Sequence, residues 1–372
     1  MIKLDGAGLA HADLSGSTVS TVGKQAQTID FSRANLTNAD LSGSKFTTKT
    51  GSYDEDGEAT IEFTEANLAH ADLSGSTLKA DAARGNAVIE FTKATLAHAD
   101  LSGSKLRAEG GWYATIDFNE ANLAHADLSD SKVTTDGTGG ATTATIGFKK
   151  ANLANADLSG SKLEAEGTEA TIDFIEANLA HADLSGSDLF AYTAYYEATV
   201  DFTEANLANA DLSGSWITAE SREGDTTIDF AKANLTNADL SGSRLTAASG
   251  KGVLPENAGV STIDFTDSIG GGGLGFGGGG LGSAVGATGT AAGGLGSAEL
   301  LPPSAPPSGD AKKCKIKSKK CKKKPPKSMN KCKKNCKKDG NNKKPLCQKT
   351  CCELGFPVSP PPPSASPPPS PP

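Results

Sequence analysis

The sequence has few of the residues from which unique catalytic sites are built. Its 372 residues include five histidines and seven cysteines, and no cysteine precedes Cys314. All five histidines recur at one position of a repeated motif, and the aspartates and serines of that motif also recur at fixed positions. A Ser/His/Asp or Cys/His arrangement needs one place where different groups converge. We therefore predict that the protein is not an enzyme and that it has no catalytic residues.

Long apolar segments and a recognisable leader are also missing. The stretch from Gly270 to Gly309 has Glu299 as its only charge, but it is too rich in glycine to favour lipid over water, so we predict no transmembrane segment. Nothing before Gly6 reads as a signal peptide. Because the repeat is already running in residues 6–19, with its first part worn away, we expect a truncated N-terminus rather than a degenerate cap.

What the chain does have is one motif, repeated. The stretch TIEFTEANLAHADLSGSTL, residues 60–78, returns in variants nine times. Its large apolar residues fall five apart, at Phe63, Leu68, Leu73 and Leu78. Helices place apolar residues 3.6 apart and strands alternate them, so a period of five fits neither. Four inward-facing edges in twenty residues instead predict one turn of a square solenoid.

The words A-N-L-A-H and A-D-L-S-G resemble the A-(D/N)-L-x-x word of the pentapeptide-repeat family, over residues 4–265. This resemblance implies an all-β fold, a right-handed quadrilateral parallel β-helix of about nine coils. The leucine of the third edge recurs every 26 to 32 residues, which leaves 6 to 12 residues beyond a twenty-residue coil. The extra residues carry turn formers such as Gly51 and Gly57, and we expect them to form loops or short hairpins along one edge.

Composition divides the chain into four parts. Residues 1–269 are the predicted β-helix, and residues 270–309, rich in Gly/Ala and then Pro/Ser, predict a flexible linker. Residues 310–356 are a lysine-rich cysteine module. Residues 357–372 are a Ser-Pro-rich tail that we expect to be disordered, and they resemble the hydroxyproline-rich modules of wall glycoproteins.

The cysteine module has too little apolar content to bury a core, so its cysteines predict a disulfide framework. Zinc is less favoured because the module has no histidine and no CxxC pair. An odd number of cysteines leaves one thiol free or available for an intermolecular bridge. The stretch CQKTCC, residues 347–352, is similar to the closing segment of ShK-toxin-like (ShKT) domains, which implies a small disulfide knot, although Cys352 directly follows Cys351. The disulfide candidates are Cys314, Cys321, Cys332, Cys336, Cys347, Cys351 and Cys352.

The modest formal net charge of −8 hides two opposed parts. Residues 310–353 hold 18 of the 36 basic side chains and three of the 44 acidic ones, a net of +15, and residues 1–309 carry −23. We expect the module to bind an anionic polymer or acidic polysaccharide, and the acidic rod to self-associate with the basic segment. Phe356 is the only aromatic residue of the module, so we expect no specific nucleic acid.

Carboxylates form two columns along the predicted rod. Like charges about 5 Å apart repel by roughly 0.8 kcal/mol even in water. The family resemblance implies that the aspartates bond the adjacent coil; bridging by calcium and display of a negative rod stay open as alternatives, and no cofactor is predicted. The third-edge column is Asp13, Asp40, Asp72, Asp100, Asp127, Asp157, Asp183, Asp211 and Asp239. The second column is Asp30, Glu62, Glu90, Asp117, Asp173, Asp201 and Asp229.

Two further sets are candidate contacts. His70, His98 and His125 fall on consecutive coils and could share a soft divalent metal, although we interpret them as polar corner residues interchangeable with asparagine. Aromatic residues in the inserted segments, together with Trp216, are candidates for contact with a partner or glycan, or for packing on one another. They are Tyr53, Trp112, Tyr113, Tyr192, Tyr195, Tyr196 and Trp216.

The sequence therefore predicts a non-enzymatic structural and binding scaffold that is extracellular or associated with a cell wall. A rigid acidic solenoid would be tethered to a basic disulfide module that binds anionic polymers. Two alternatives stay open. One is a DNA-mimicking, topoisomerase-directed protein, as the family resemblance implies; the other is a secreted toxin-like effector that acts through the cysteine module.

Overall fold

Two parallel sheets run along the solenoid and form two of its four faces. A computed structural model describes residues 1–51, 57–137, 143–250 and 260–269 of the chain. Within those ranges all the strand pairs are parallel, and no helix is long and apolar enough to cross a membrane.

Face one is the ten-stranded sheet of odd-numbered strands and face four is the nine-stranded sheet of even-numbered strands. Face one contains β1 (Ile2–Lys3), β3 (Gln27–Asp30), β5 (Ala59–Glu62), β7 (Ala87–Glu90), β9 (Tyr113–Asp117), β11 (Thr143–Gly147), β13 (Glu169–Asp173), β15 (Ala198–Asp201), β17 (Thr226–Asp229) and β19 (Ser261–Asp264). Face four contains β2 (Thr18–Gly23), β4 (Lys45–Thr50), β6 (Thr77–Ala82), β8 (Lys105–Gly110), β10 (Lys132–Gly137), β12 (Lys162–Gly167), β14 (Asp188–Thr193), β16 (Trp216–Ser221) and β18 (Arg244–Ala248).

Faces two and three are narrower, because each coil contributes one bridging residue to each. Face two pairs residues such as Asn67 and Thr95, and face three pairs aspartates such as Asp72 and Asp100. The described residues complete nine coils, and the bridge from Asn234 to Ile269 begins a tenth. The predicted all-β solenoid is therefore confirmed.

The corners explain why the apolar period is five. After each inward stretch, two residues turn the chain, and the second has a positive φ: 59° at Glu65, 57° at His70 and 62° at Gly75. A backbone bond closes each turn, as from Ala66 N to Phe63 O at 2.9 Å. Glycine is favoured at such angles because it has no Cβ, and it fills the third corner of every complete coil but one, where Asp130 stands.

The core consists of columns of equivalent residues. The rings of the phenylalanine column stack at centroid distances of 4.8 to 5.0 Å, with interplanar angles of 1 to 4°. This spacing is that of neighbouring β-strands, so each ring lies on its equivalent in the next coil. The column is Phe31, Phe63, Phe91, Phe118, Phe148, Phe174, Phe202, Phe230 and Phe265.

In the described parts of the chain, the extra residues of the coils lie on one edge, as expected, and many of them extend strands. The strands of face four extend beyond the twenty-residue coil, and the strands of face one begin before it. Alternate side chains of these extensions point inward, so Ala80, Ala82 and Ala87 are buried. The two strands approach closely: a Cβ on Gly110 would lie 2.0 Å from Tyr113 O. We call this extension the side arm. Of the two expected forms, loops are present, as at residues 83–86, whereas β6 and β7 pair in parallel with neighbouring coils and not with each other as a hairpin.

The stacking predicts that a core deletion costs more in the middle of the array than at its end. Leu106 on β8 is packed between two neighbouring coils, whereas Leu245 on β18 lies on the last strand of face four. We expect Leu106→Ala to lower the free energy of unfolding by about 2–5 kcal/mol, and Leu245→Ala to lower it less, in urea unfolding followed by circular dichroism. An equal or larger loss at Leu245 would contradict the nearest-neighbour account.

Candidate binding surfaces

The aspartates of both acidic columns cap the corner that follows them. Asp173 on face one accepts a hydrogen bond from the backbone N–H of Ile175 at 2.7 Å, and Asp72 on face three accepts one from Ser74 at 2.8 Å. The corner N–H has no other backbone partner, and the carboxylate two residues earlier reaches it. These bonds lie within the aspartate's own coil, so the expectation that the aspartates largely bond the adjacent coil is wrong, although Asp229 also bonds Thr203 of the neighbouring coil. The same bond recurs at Asp13, Asp30, Asp40, Asp100, Asp117, Asp127, Asp157, Asp183, Asp201, Asp211, Asp229 and Asp239.

The second acidic column, which runs from Asp30 to Asp229 along face one and is called the face-one column below, is destabilised by repulsion between its own charges. Among the described residues, none of the ion pairs includes one of its carboxylates. Burial raises the pKa of Asp173, and repulsion from Asp201 raises it further. Burial and neighbouring carboxylates likewise raise the pKa of Glu62 and Asp229. The column thus carries like charges that the fold holds close together; Lys149 and Lys3 lower the pKa of Asp173 and Glu62 only in part, and the burial and repulsion prevail.

Asparagines on face two form a hydrogen-bonded ladder that the sequence analysis did not identify. The amide Nδ2 of Asn152 donates to Oδ1 of Asn122 at 3.1 Å, and the next three coils repeat the bond at 3.0 Å. The signal was present in the sequence as the N of the A-N-L word. The members of this asparagine ladder are Asn122, Asn152, Asn178, Asn206 and Asn234.

The three consecutive histidines lie at the second corner and are exposed. His70 stacks on His98 at 4.9 Å and His98 on His125 at 4.8 Å, with the rings 3° from parallel. The nitrogen lone pairs of stacked imidazoles lie in parallel planes, so they do not converge on one ion. In the part of the chain that the structure describes, no group of three or more His, Cys, Asp or Glu side chains could hold a metal ion.

The outer side of face four carries a network of ion pairs that link neighbouring coils, which we call the ion-pair ladder. Lys79 contacts Glu109 at 2.7 Å, Lys49 contacts Asp81 at 2.9 Å and Lys132 contacts Glu164 at 3.4 Å. Each exposed pair stabilises by only about 0–1 kcal/mol, but the ladder neutralises this face, in contrast to face one. At β14 it joins Lys162 to Asp188 at 4.0 Å.

From β14 onward, aromatic side chains join the charged ones on the outer side of face four. Phe190 and Tyr192 point outward from β14 with their rings 6.1 Å apart and nearly parallel, and Trp216 on β16 is 57% exposed. We call these three residues the aromatic platform. Two of them, Phe190 and Trp216, line a shallow depression of about 350 Å³. Sequence reasoning placed Tyr192 in a loop and passed over Phe190, because nothing in the repeat marks either position.

The other aromatic candidates are separate from the platform. Tyr113 begins β9 rather than a loop, Trp112 precedes it, and Tyr195 and Tyr196 lie at the tip of a side arm; all four are exposed. Tyr53 lies outside the described residues. The seven cysteines, the ShKT resemblance and the Ser-Pro tail also lie outside them.

These features define a parallel β-solenoid built from five-residue words, in which rows of identical side chains face outward. The model of the family described as Pentapeptide repeats matches the chain in eight copies, at residues 29–48 and 228–252. The chain is therefore a pentapeptide-repeat protein.

Solved structures of other pentapeptide-repeat proteins resemble parts of the chain. HetL, involved in heterocyst differentiation regulation in the cyanobacterium Nostoc sp. strain PCC 7120, is 23% identical over 67% of this chain and 92% of its own, with a TM-score of 0.18. QnrB1, a plasmid-mediated fluoroquinolone resistance protein, is 17% identical over 64% and 91%, with a TM-score of 0.20. A protein of the Arabidopsis thaliana thylakoid lumen is 22% identical over 41% and 69%, with a TM-score of 0.12. No curated protein matches the chain.

The strained face-one column predicts an unusual response to acid. Because the pKa of Asp173 is raised in the folded state, folding binds protons, and this residue's contribution to stability grows as the pH falls towards 3.8. We expect Asp173→Asn to be more stable than the parent at pH 7, with the difference disappearing in mild acid, in thermal unfolding followed by circular dichroism.

Asp239 is the matched control. Hydrogen bonds from Ser241 lower the pKa of Asp239, so its contribution is present above pH 3.8 and is lost as the pH falls below it. We therefore expect Asp239→Asn to be less stable than the parent at pH 7. The same sign of effect for both variants would contradict the assignment of strain to face one.

Proposed function

We propose that the protein is a non-enzymatic scaffold, outside the cell or in a cell wall, whose acidic solenoid is held at anionic material by its basic cysteine module. The observation that carries this proposal is the division of charge, −23 in residues 1–309 against +15 in residues 310–353. Two such parts on one chain suit a rigid body and a separate anchor, because a polyanionic surface attracts the module and repels the solenoid.

The geometry of the described coils supports a scaffold. Outward side chains repeat from coil to coil at fixed positions, so carboxylates, amides and imidazoles lie in rows. Rows of like groups suit an extended contact surface better than the convergence of unlike groups that chemistry on a substrate needs. The buried columns give this surface a continuous support.

The proposed compartment depends on the C-terminal sequence. Seven cysteines within residues 314–352 suit an oxidising environment, where disulfides persist. The run SPPPPSASPPPSPP, residues 359–372, has the composition of wall glycoprotein modules. The lysines around the cysteines would then meet acidic polysaccharide rather than a cytosolic partner.

The DNA-mimic alternative has one supporting observation, the unpaired carboxylates of face one. Against it, the ion-pair ladder neutralises face four, and the side arm widens one edge of the rod, so the surface is not uniformly anionic. Inhibition of gyrase supercoiling by residues 1–269 would favour this alternative. The toxin-like alternative would be favoured if the cysteine module alone acted on a channel or membrane.

The anchoring proposal predicts salt-sensitive retention on an acidic polysaccharide. We expect the full chain to bind immobilised polygalacturonate in about 50 mM salt and to elute near 0.5 M, because screening at about 0.5 M shortens the reach of charge to a few ångströms. A chain ending at residue 309 keeps the solenoid and lacks the module, and it should pass through. Equal retention of both chains, or flow-through of the full chain, would remove the proposal.

A further inference from the structure

We propose that the aromatic platform of face four binds a neutral polysaccharide, whose sugar rings stack on Phe190, Tyr192 and Trp216. This site is independent of the cysteine module and lies beyond the anchoring function proposed above. It assigns the solenoid a ligand of its own.

The platform does not serve the core. The inward residues of the same strands, Leu189, Ala191 and Ile217, are at most 1% exposed and already complete the buried columns. Phe190, Tyr192 and Trp216 alternate with them and point outward. On the strands before them, from β4 to β12, the central and far outward positions carry charged residues or threonine. Trp216 is exposed and Phe190 and Tyr192 are half-buried, and surface aromatic rings that pack no core are typical of contact surfaces.

The chemistry around the rings suits a sugar. A pyranose ring has an apolar C–H face, which packs on an aromatic ring, and a rim of hydroxyl groups, which needs donors and acceptors. Asp188, Thr218 and Arg244 line the depression beside the rings and supply both. A few polar groups around aromatic walls fix the orientation of a ligand in this way. The rings of Phe190 and Tyr192 are nearly parallel and 6.1 Å apart, at successive outward positions of one strand.

The charge of the lining selects a neutral ligand. The lining contains two cationic side chains, Lys162 and Arg244, and three acidic ones, Glu164, Asp188 and Glu220. Lys162 pairs with Glu164 and Asp188, so the lining is close to neutral and gives little net attraction to a polyanion or to a polycation such as the chain's own lysine-rich segment. A protein partner is less suited, because the lining contains no Leu, Ile, Val or Met side chain against which an apolar face could pack.

Tryptophan fluorescence tests the site directly. Trp112 and Trp216 are the two tryptophans of the chain, so the variant Trp112→Phe leaves Trp216 as the sole reporter. We expect its emission to change and saturate when the full chain is titrated with a soluble neutral β-glucan or hydroxyethylcellulose. The change should persist in about 0.5 M salt, where electrostatic binding is screened. Adding Phe190→Ala should weaken the apparent affinity about tenfold.

Controls separate this site from other exposed rings. Tyr195→Ala and Tyr196→Ala remove side-arm aromatics and should leave the titration unchanged, while unchanged thermal unfolding shows that Phe190→Ala still folds. The variant Trp216→Ala has lost the fluorescent reporter, so its binding is measured as retention on an insoluble form of the same polysaccharide. We expect it to be retained less than the parent chain. The proposal is overturned if no neutral polysaccharide changes the Trp216 emission, if poly-lysine changes it instead, or if Phe190→Ala binds as tightly as the parent.

Discussion

The whole solenoid depends on parallel hydrogen bonding between coils in register, because that register packs each residue against its own equivalent above and below. A residue type is therefore suitable only if it tolerates a copy of itself about 4.8 Å away. Phenylalanine does so by stacking, as the ring distances of 4.8 to 5.0 Å demonstrate. Asparagine does so because its amide is both donor and acceptor, so one side chain satisfies the next. The narrow vocabulary of the repeat follows from this requirement.

Carboxylates are the residues that this rule should exclude, yet they fill two columns. The structure explains their presence by the corner, where a carboxylate accepts the N–H that no strand partner reaches. The cap serves the coil's own backbone, whereas the cost of repulsion is shared with the neighbouring coils. On face one the cost appears in the raised pKa values of Glu62, Asp173 and Asp229. In this fold, hydrogen bonding of the corner N–H groups thus outweighs the charge repulsion between neighbouring coils.

The sequence predicted what the period alone determines. A step of five gave the four faces, the phenylalanine column and the edge that carries the extra residues. It could not give the direction of a hydrogen bond, since Asp173 has the same place in the pattern whether it bonds its own coil or the next. The side arm was missed because its inward residues, such as Ala80, Ala82 and Gly110, are small and resemble loop formers. They are small because two strands face each other there at close range.

Recognition has to come from the positions where repetition fails. A row of identical side chains presents the same chemistry at every level and gives no reason for a ligand to stop at one coil. Face four departs from this, because its central outward row changes from Lys79 and Arg107 through Glu164 to Phe190. Only a residue whose neighbours differ from it can contribute to a unique site. In this solenoid the aromatic platform meets that condition, and the acidic columns, for all their charge, do not.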